Sequence, residues 1–284
     1  METLKHFNDS LEYIESHLDQ EIDLGKAASI ACMSKYHFQR MFSLLSGMPI
    51  GEYIRNRRLT KAARELASSK TKVIDIAARY GYETPESFSK AFKNAHGISP
   101  SEAREGTRPL NAYPRLSFQI QIKGAVGMKY KIVKKEAFKA IGKDISISTE
   151  NGENMVKIPQ FWQEAYETGF EKELSEKAGS LGLLGICLPD ENGRMTYAIA
   201  AEGDGGILPE GWREYSVPAA DYAVFEAVGP MPDAIQEVWK SIYSEWFPST
   251  GYKQASGLEL EVYPEAGPDR EDFRSEIWIP VVRK

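Results

Sequence analysis

In the segment Leu258-Glu259-Leu260-Glu261-Val262-Tyr263 aliphatic residues alternate with carboxylates and a phenol. On a strand that alternation sets Glu259, Glu261 and Tyr263 on one face. A carboxylate there, ringed by aromatic side chains, attracts lipophilic cations through charge and cation–π terms of about 0.5–2 kcal/mol each. The aromatics available for such a ring are Trp162, Trp239, Tyr243 and Trp278, the last sharing a strand face with Glu276. Periodicity alone favours a solvent face for these three residues, and each aromatic taken singly favours an ordinary core. A different chemistry lies upstream, where Lys35, Tyr36, Gln39 and Arg40 form one polar set, and Glu86, Ser87, Ser89 and Lys90 form another. Arginine can bridge the two guanine acceptors, glutamine can pair with adenine, and short hydroxyls can bind phosphate oxygens.

The elements that must hold these upstream sets are written twice. At a shift of 50 residues, Ala27 falls on Ala77, Ala28 on Ala78, Phe38 on Phe88, Arg40 on Lys90, Phe42 on Phe92 and Gly47 on Gly97. Each copy reads as a short helix (Leu24 to Ala31; Val73 to Tyr80), a tight turn and a second helix (Lys35 to Leu45; Pro85 to Ala95). Ser34 and Thr84 stand at equivalent N-cap positions, and Pro85 occupies the first helical position, where proline is tolerated. This is a helix-turn-helix pattern. Phe38, Met41, Phe42 and Leu45, and then Phe88, Ala91, Phe92 and Ala95, form the inward stripes, leaving the polar sets on the opposite faces. Between the copies Ile50 to Ala67 reads as one helix, buried along Ile50, Tyr53, Ile54, Ala62, Ala63 and Leu66. At about 1.5 Å per residue it spans roughly 27 Å, close to the ~34 Å between successive major grooves. Its other faces carry Arg55, Arg57, Arg58, Lys61 and Arg64 as candidate phosphate contacts or as a plain charged surface.

Charge follows the same division. The chain has 284 residues and a formal net charge of -6, but Leu24 to Asn94 holds 13 basic and 5 acidic residues, a net of +8 suited to a polyanion. Residues 1 to 108 sum to +2 (16 against 14) and the remainder to -8 (19 against 27). Gly106, Pro109 and Pro114 interrupt the helical texture, and all five tryptophans lie beyond them. We therefore expect two domains, 1–107 and 128–284, joined by a linker at 108–127. Cys32 and Cys187 are too few for a disulfide framework or a zinc cluster, so a reducing cytoplasm, no metal and no cofactor are expected. No apolar run approaches the ~20 residues needed to span a bilayer, and Met1 to Asp9 does not read as a signal peptide.

The run Ser34-Lys35-Tyr36-His37-Phe38-Gln39-Arg40-Met41-Phe42, with Tyr53-Ile54-Arg55, Arg58-Leu59, Tyr80-Gly81-Tyr82, Phe88-Ser89-Lys90-Ala91-Phe92-Lys93, Gly97 and Ser99-Pro100, resembles the DNA-binding domain of AraC/XylS-type transcription regulators. The likeness covers about Leu4 to Ala103. It implies seven helices, with Ser34, Lys35, Tyr36, His37, Gln39 and Arg40 at double-stranded DNA in one groove, and Thr84, Glu86, Ser87, Ser89 and Lys90 in the next. Pro85 and Glu86 stand where some relatives carry amides; Glu86 would repel phosphate, so the second element either reads cytosine or contributes little.

From about Lys129 the pattern is strand, helix, strand, strand, and then the same again. Strands are expected at Phe138 to Ile147, Leu183 to Leu188, Met195 to Ala200, Tyr222 to Val228, Leu258 to Tyr263 and Ile277 to Val282, with a further one near Arg213 to Val217. Helices are expected at Ile158 to Thr168 and Met231 to Phe247, and Asn192-Gly193 signals a hairpin. Two such units pair into a pseudo-symmetric α+β domain with a central cleft. Phe225 to Trp246, Pro248, Gly251-Tyr252, Glu261-Val262-Tyr263 and Glu276-Ile277-Trp278-Ile279-Pro280-Val281 resemble the GyrI-like effector-binding domain. The resemblance implies a pocket for small aromatic or cationic compounds, with Glu261 as its acid and Tyr263, Trp278, Trp239, Tyr243 and Trp162 around it. The expected whole is a multidomain, effector-responsive, DNA-binding regulator that also contacts RNA polymerase. Two alternatives stay open for the second half: a small hydrolase using a Glu and a Tyr, or an interaction module acting on a topoisomerase or polymerase. Operator, effector and oligomeric state are not written in the chain.

Overall fold

The computed structural model describes residues 2–106, 108–118, 128–148, 152–189, 194–204, 206–264 and 270–284. They form two compact units, Met1–Gln39 with Met48–Gln119, and Arg40–Gly47 with Ile120–Lys284. The Asn192-Gly193 hairpin signal and part of the expected linker lie outside the described residues.

Among the described residues seven helices precede the first strand: α1 (Glu2–Ser16), α2 (Leu24–Ile30), α3 (Lys35–Ser46), α4 (Ile50–Ser68), α5 (Val73–Arg79), α6 (Pro85–His96) and α7 (Pro100–Glu105). Their ends follow from capping chemistry. Asp23 accepts from the amides of Gly25 and Lys26 to open α2, Ser34 Oγ accepts from His37 N at 3.2 Å in α3, and Thr84 Oγ1 accepts from Ser87 N at 3.1 Å in α6. Ser99 and Glu102 form a capping box at α7. Gly97 ends α6 at φ 76°, a left-handed conformation that glycine adopts without steric cost.

A core of Leu59, Ala62, Leu66, Ile76, Phe88 and Phe92 binds α4, α5 and α6 together. Against the sequence reading, three of the basic residues of α4 are engaged internally. Arg57 makes a bidentate pair with Glu15 at 2.8 Å on each oxygen, and Tyr53 Oη donates to the same carboxylate at 2.7 Å. Arg58 donates to the carbonyls of Leu18 and Gln20, and Lys61 Nζ to that of Glu15. These are the capping and tethering contacts of α1, which leaves Arg55 and Arg64 as the exposed members of the set.

The second unit is built on an antiparallel sheet. Its strands are β1 (Tyr130–Lys135), β2 (Phe138–Ser148), β3 (Leu183–Pro189), β4 (Arg194–Glu202), β5 (Arg213–Val217), β6 (Ala220–Val228), β7 (Tyr252–Gln254), β8 (Glu259–Tyr263) and β9 (Arg274–Arg283). The order is β1-β6-β9-β8-β3-β4-β2-β5, with β7 beside β9. The two expected units are thus β2, β3, β4 and β6, β8, β9, which meet where β3 pairs with β8. The strand leading into each unit pairs with the outer strand of the other: β1 with β6, and β5 with β2. Helix α8 (Glu153–Glu167) follows β2 and contacts it. Helix α10 (Asp233–Ser241) follows β6, contacts β6 and β9, and runs on through a π-helical turn (Ile242–Trp246) into the short α11 (Phe247–Ser249). β1, β7 and the short α9 (Phe170–Ser175) were not expected from the sequence; β1, with Lys131, Lys134 and Lys135 among its six residues, has no apolar alternation to announce it. On one sheet face Leu184, Ile186, Ala198, Ala200, Leu260 and Val262 pack as a continuous apolar cluster. The opposite face holds the polar residues considered next. Among the described residues no helix is long and apolar enough to cross a membrane.

Candidate functional site

Strand parity makes the site. Register pairs Glu261 with Gly185 and Glu259 with Cys187, and Cys187 in turn with Tyr197. Cross-strand partners share a face, so β8, β3 and β4 set Glu259, Glu261, Cys187, Gly185 and Tyr197 side by side. Both carboxylates are buried, Glu259 at 5% and Glu261 at 7% exposure, so the alternating residues of β8 do not face solvent. A buried carboxylate must be hydrogen-bonded to persist.

Glu261 meets that demand with three neutral donors: Trp239 Nε1 at 3.0 Å to Oε1, Tyr197 Oη at 2.9 Å and Tyr263 Oη at 3.0 Å to Oε2. Trp162 Nε1 donates to Tyr197 Oη at 2.9 Å, and its ring meets that of Tyr263 edge-on at 5.0 Å. Glu259 Oε1 accepts from Tyr243 Oη at 3.0 Å and Gln254 Nε2 at 2.7 Å. The rings of Trp239 and Tyr243 lie stacked with 11° between planes. Burial, and then the charge of Glu261, hold the hydroxyls of Tyr197 and Tyr263 well above the usual phenol range, which keeps both as donors. Arg40, grouped with this unit, is ion-paired with Glu259, and its guanidinium carbon lies 3.9 Å from the centroid of the Trp239 ring.

Such a site offers a buried anion walled by flat aromatic surface. That is the recognition chemistry of a hydrophobic cation.

The comparisons with known proteins agree with both halves of this description. Residues 27–106 match the family model of a helix-turn-helix domain, and residues 131–281 match that of integron-associated effector binding proteins. The HTH-type transcriptional activator AarP of Providencia stuartii is 45% identical over 91 residues, which are 32% of this chain and 67% of AarP. This chain belongs to the AraC-type transcription regulators that carry a GyrI-like effector-binding domain. The regulator is also similar to the right origin-binding protein of Escherichia coli K12, 41% identical over 93 residues, 33% of this chain but 32% of that one. Among solved structures, that of SAV2435 bound to tetraphenylphosphonium has a TM-score of 0.50 and 27% identity, covering 55% of the regulator and 94% of SAV2435.

Of the pocket residues expected from sequence, the structure brings Glu261, Tyr263, Trp239, Tyr243 and Trp162 together. Trp278 is a correction. It pairs with Leu260, not with Glu259 or Glu261, and so falls on the apolar face, packed 5.6 Å from Tyr222, with Nε1 donating to Glu276. Tyr197 and Gln254 were missed. Tyr197 lies 64 residues from Glu261, and its strand reads as plain alternation; only the pairing of β3 with β4 and β8 draws the two together. In the regulator's first helix-turn-helix Ser34 is exposed, Lys35 and His37 are half-buried, and Tyr36 and Gln39 are buried. In the second, Thr84, Glu86, Ser87 and Lys90 are exposed and Ser89 is half-buried.

Proposed function

We propose that the regulator couples promoter binding by residues 1–107 to capture of a lipophilic cation by residues 128–284, with 108–127 as the join. The observation that carries the effector reading is Glu261, buried and held by Trp239, Tyr197 and Tyr263 with Trp162 behind them. Three neutral donors fix the carboxylate, and its nearest cation, Arg40 Nη2, stands 3.8 Å from Oε1, so a cation entering against the aromatic walls can still gain a Coulombic term and a cation–π term in a water-poor site. Tetraphenylphosphonium, to which SAV2435 is bound in its solved structure, has this chemistry.

At DNA, Lys35, Tyr36, His37, Gln39 and Arg40, capped by Ser34, read one groove, and Glu86, Ser87, Ser89 and Lys90, capped by Thr84, work in the next. The connecting α4, 19 residues long, spaces the two copies by about 28 Å at ~1.5 Å per residue. Tyr36 and Gln39 are buried, so reading DNA requires a conformational equilibrium in which both side chains become exposed. Cation binding shifts that equilibrium by its differential affinity for the two arrangements, and the altered promoter complex is then passed on to RNA polymerase.

We read the pocket as a binding rather than a catalytic site. Both oxygens of Glu261 already accept from Trp239, Tyr197 and Tyr263, which supports a fixed charge rather than the base that a Glu–Tyr hydrolase would need. Genome-wide footprinting of the full chain with and without tetraphenylphosphonium tests the whole reading. Site occupancy that changes with the cation, and no longer does so in Glu261→Gln, is the expected result; occupancy indifferent to the cation would defeat it.

A further inference from the structure

The two buried carboxylates of the pocket are not equivalent. Glu261 is served on both oxygens by neutral donors. Glu259 receives Tyr243 and Gln254 on Oε1, whereas its Oε2 is met by Nη1 of Arg40. The same guanidinium lies over the ring of Trp239, with Nη2 3.8 Å from Glu261 Oε1 and Nη1 3.6 Å from Cys187 Sγ. Its side chain is only 10% exposed. An aromatic plane beneath, a carboxylate at the edge and a second carboxylate nearby make a seat for a planar cation with N–H donors. A cation without N–H groups, such as a tetraaryl phosphonium, can gain from the ring and the charge, but it cannot donate to Glu259 and would leave a buried oxygen unserved.

We infer that Glu259, Trp239, Tyr243 and Gln254 form a second subsite of the pocket, specific for amidinium or guanidinium ligands, and that Arg40 fills it as a tethered competitor. The inference rests on the reading of this pocket as a cation site. It adds a ligand class and a regulatory consequence. One guanidinium cannot stack on Trp239 and reach a base edge at the same time, so a ligand that takes this seat releases the side chain assigned above to DNA. A tethered group competes at an effective concentration on the order of millimolar. The unmodified protein therefore binds such ligands weakly unless they also fill the aromatic space around Glu261.

The test uses the full chain, with benzamidine and tetraphenylphosphonium each titrated by calorimetry and by tryptophan fluorescence. Arg40→Ala is expected to tighten benzamidine by about tenfold, the gain when the seat holds a free guanidinium with a Kd about one tenth of the tether's roughly millimolar effective concentration, and tetraphenylphosphonium by less. Adding Glu259→Gln to Arg40→Ala should abolish the benzamidine gain while tetraphenylphosphonium still binds; adding Glu261→Gln should do the reverse. Circular dichroism checks each fold, and Arg40→Met, which keeps an aliphatic stem over Trp239, repeats the comparison if the alanine variant unfolds. Equal benzamidine affinity in the parent and in both Arg40 variants overturns the inference, as does a gain that survives Glu259→Gln. Failure of tetraphenylphosphonium to bind any of these proteins defeats the broader reading instead, while the benzamidine comparison still decides the subsite.

Discussion

Gly185 stands directly beneath the hydroxyl of Tyr197: a Cβ on this glycine would lie 2.2 Å from Oη and 3.1 Å from the Glu261 carboxylate. The hydrogen bond from Tyr197 to Glu261 therefore exists because β3 has no side chain at this point. Gly185→Ala must push the ring or the carboxylate aside. The expected outcome is a stability loss of about 1–3 kcal/mol, typical of overpacking, together with weaker tetraphenylphosphonium binding. Chemical denaturation and calorimetry measure the two effects; unchanged affinity would mean that Tyr197 does not hold the pocket acid in place.

Tyr197→Phe separates the hydroxyl from the ring. It removes one donor to Glu261 and strands Trp162 Nε1, which donates to the same oxygen. Leaving a buried donor unpaired costs about 1–3 kcal/mol, so Tyr197→Phe should destabilise the protein more than Tyr263→Phe, which keeps the hydrogen bond from Trp162 to Tyr197 in place. The order of the two denaturation midpoints checks this.

Acid sensitivity of the helical unit should centre on Glu15. Burial pushes its carboxyl up, but the hydrogen bonds of Arg57 and Tyr53 outweigh burial and hold it below the ordinary carboxylate range. A carboxylate depressed in the folded state stabilises fully above its unfolded pKa, and that stability is lost as pH falls through the folded value. Glu15→Gln should be less stable than the parent near neutrality, and the gap should close as pH falls from the ordinary carboxylate range through the lowered folded value. Arg57→Ala, which leaves the carboxylate buried without its bidentate partner, should cost about 3–5 kcal/mol. Denaturation curves across that pH range would show a constant gap if the pairing were immaterial.

DNA affinity of the full chain should fall with salt at a log-log slope of about -0.9 per neutralised phosphate. Arg55→Ala and Arg64→Ala, the exposed pair on α4, should flatten the slope without changing sequence preference, whereas Lys90→Ala on α6 should weaken binding by about 1–3 kcal/mol if it reaches a base edge. Salt titrations on specific and scrambled duplexes distinguish these outcomes.

Much of the helical unit is legible residue by residue, because its determinants are local. Ser34 and Thr84 cap the helices that follow them, Gly97 closes α6, and the apolar stripe of Phe88 and Phe92 repeats at helical spacing. The pocket was legible in part. Alternation along β8 puts Glu259, Glu261 and Tyr263 on a common face, but a period of two cannot say which face is covered. Arg57 and Arg58 look like free surface cations from the pattern of α4 alone, and only the packing of α1 ties them down.

The duplicated helix-turn-helix and the repeated strand-helix-strand-strand pattern of the second domain were thus determined by the sequence itself, through caps, turns and periodicity acting over a few residues. Tertiary structure decided that Tyr197 and Gly185 belong with Glu261, that Trp278 belongs with Leu260, and that Arg40 meets Glu259. The physical reason is register. Which side chains share a sheet face depends on hydrogen-bonded pairing between strands distant in the chain, and a shift of one residue in that pairing would turn every one of these neighbours to the other side.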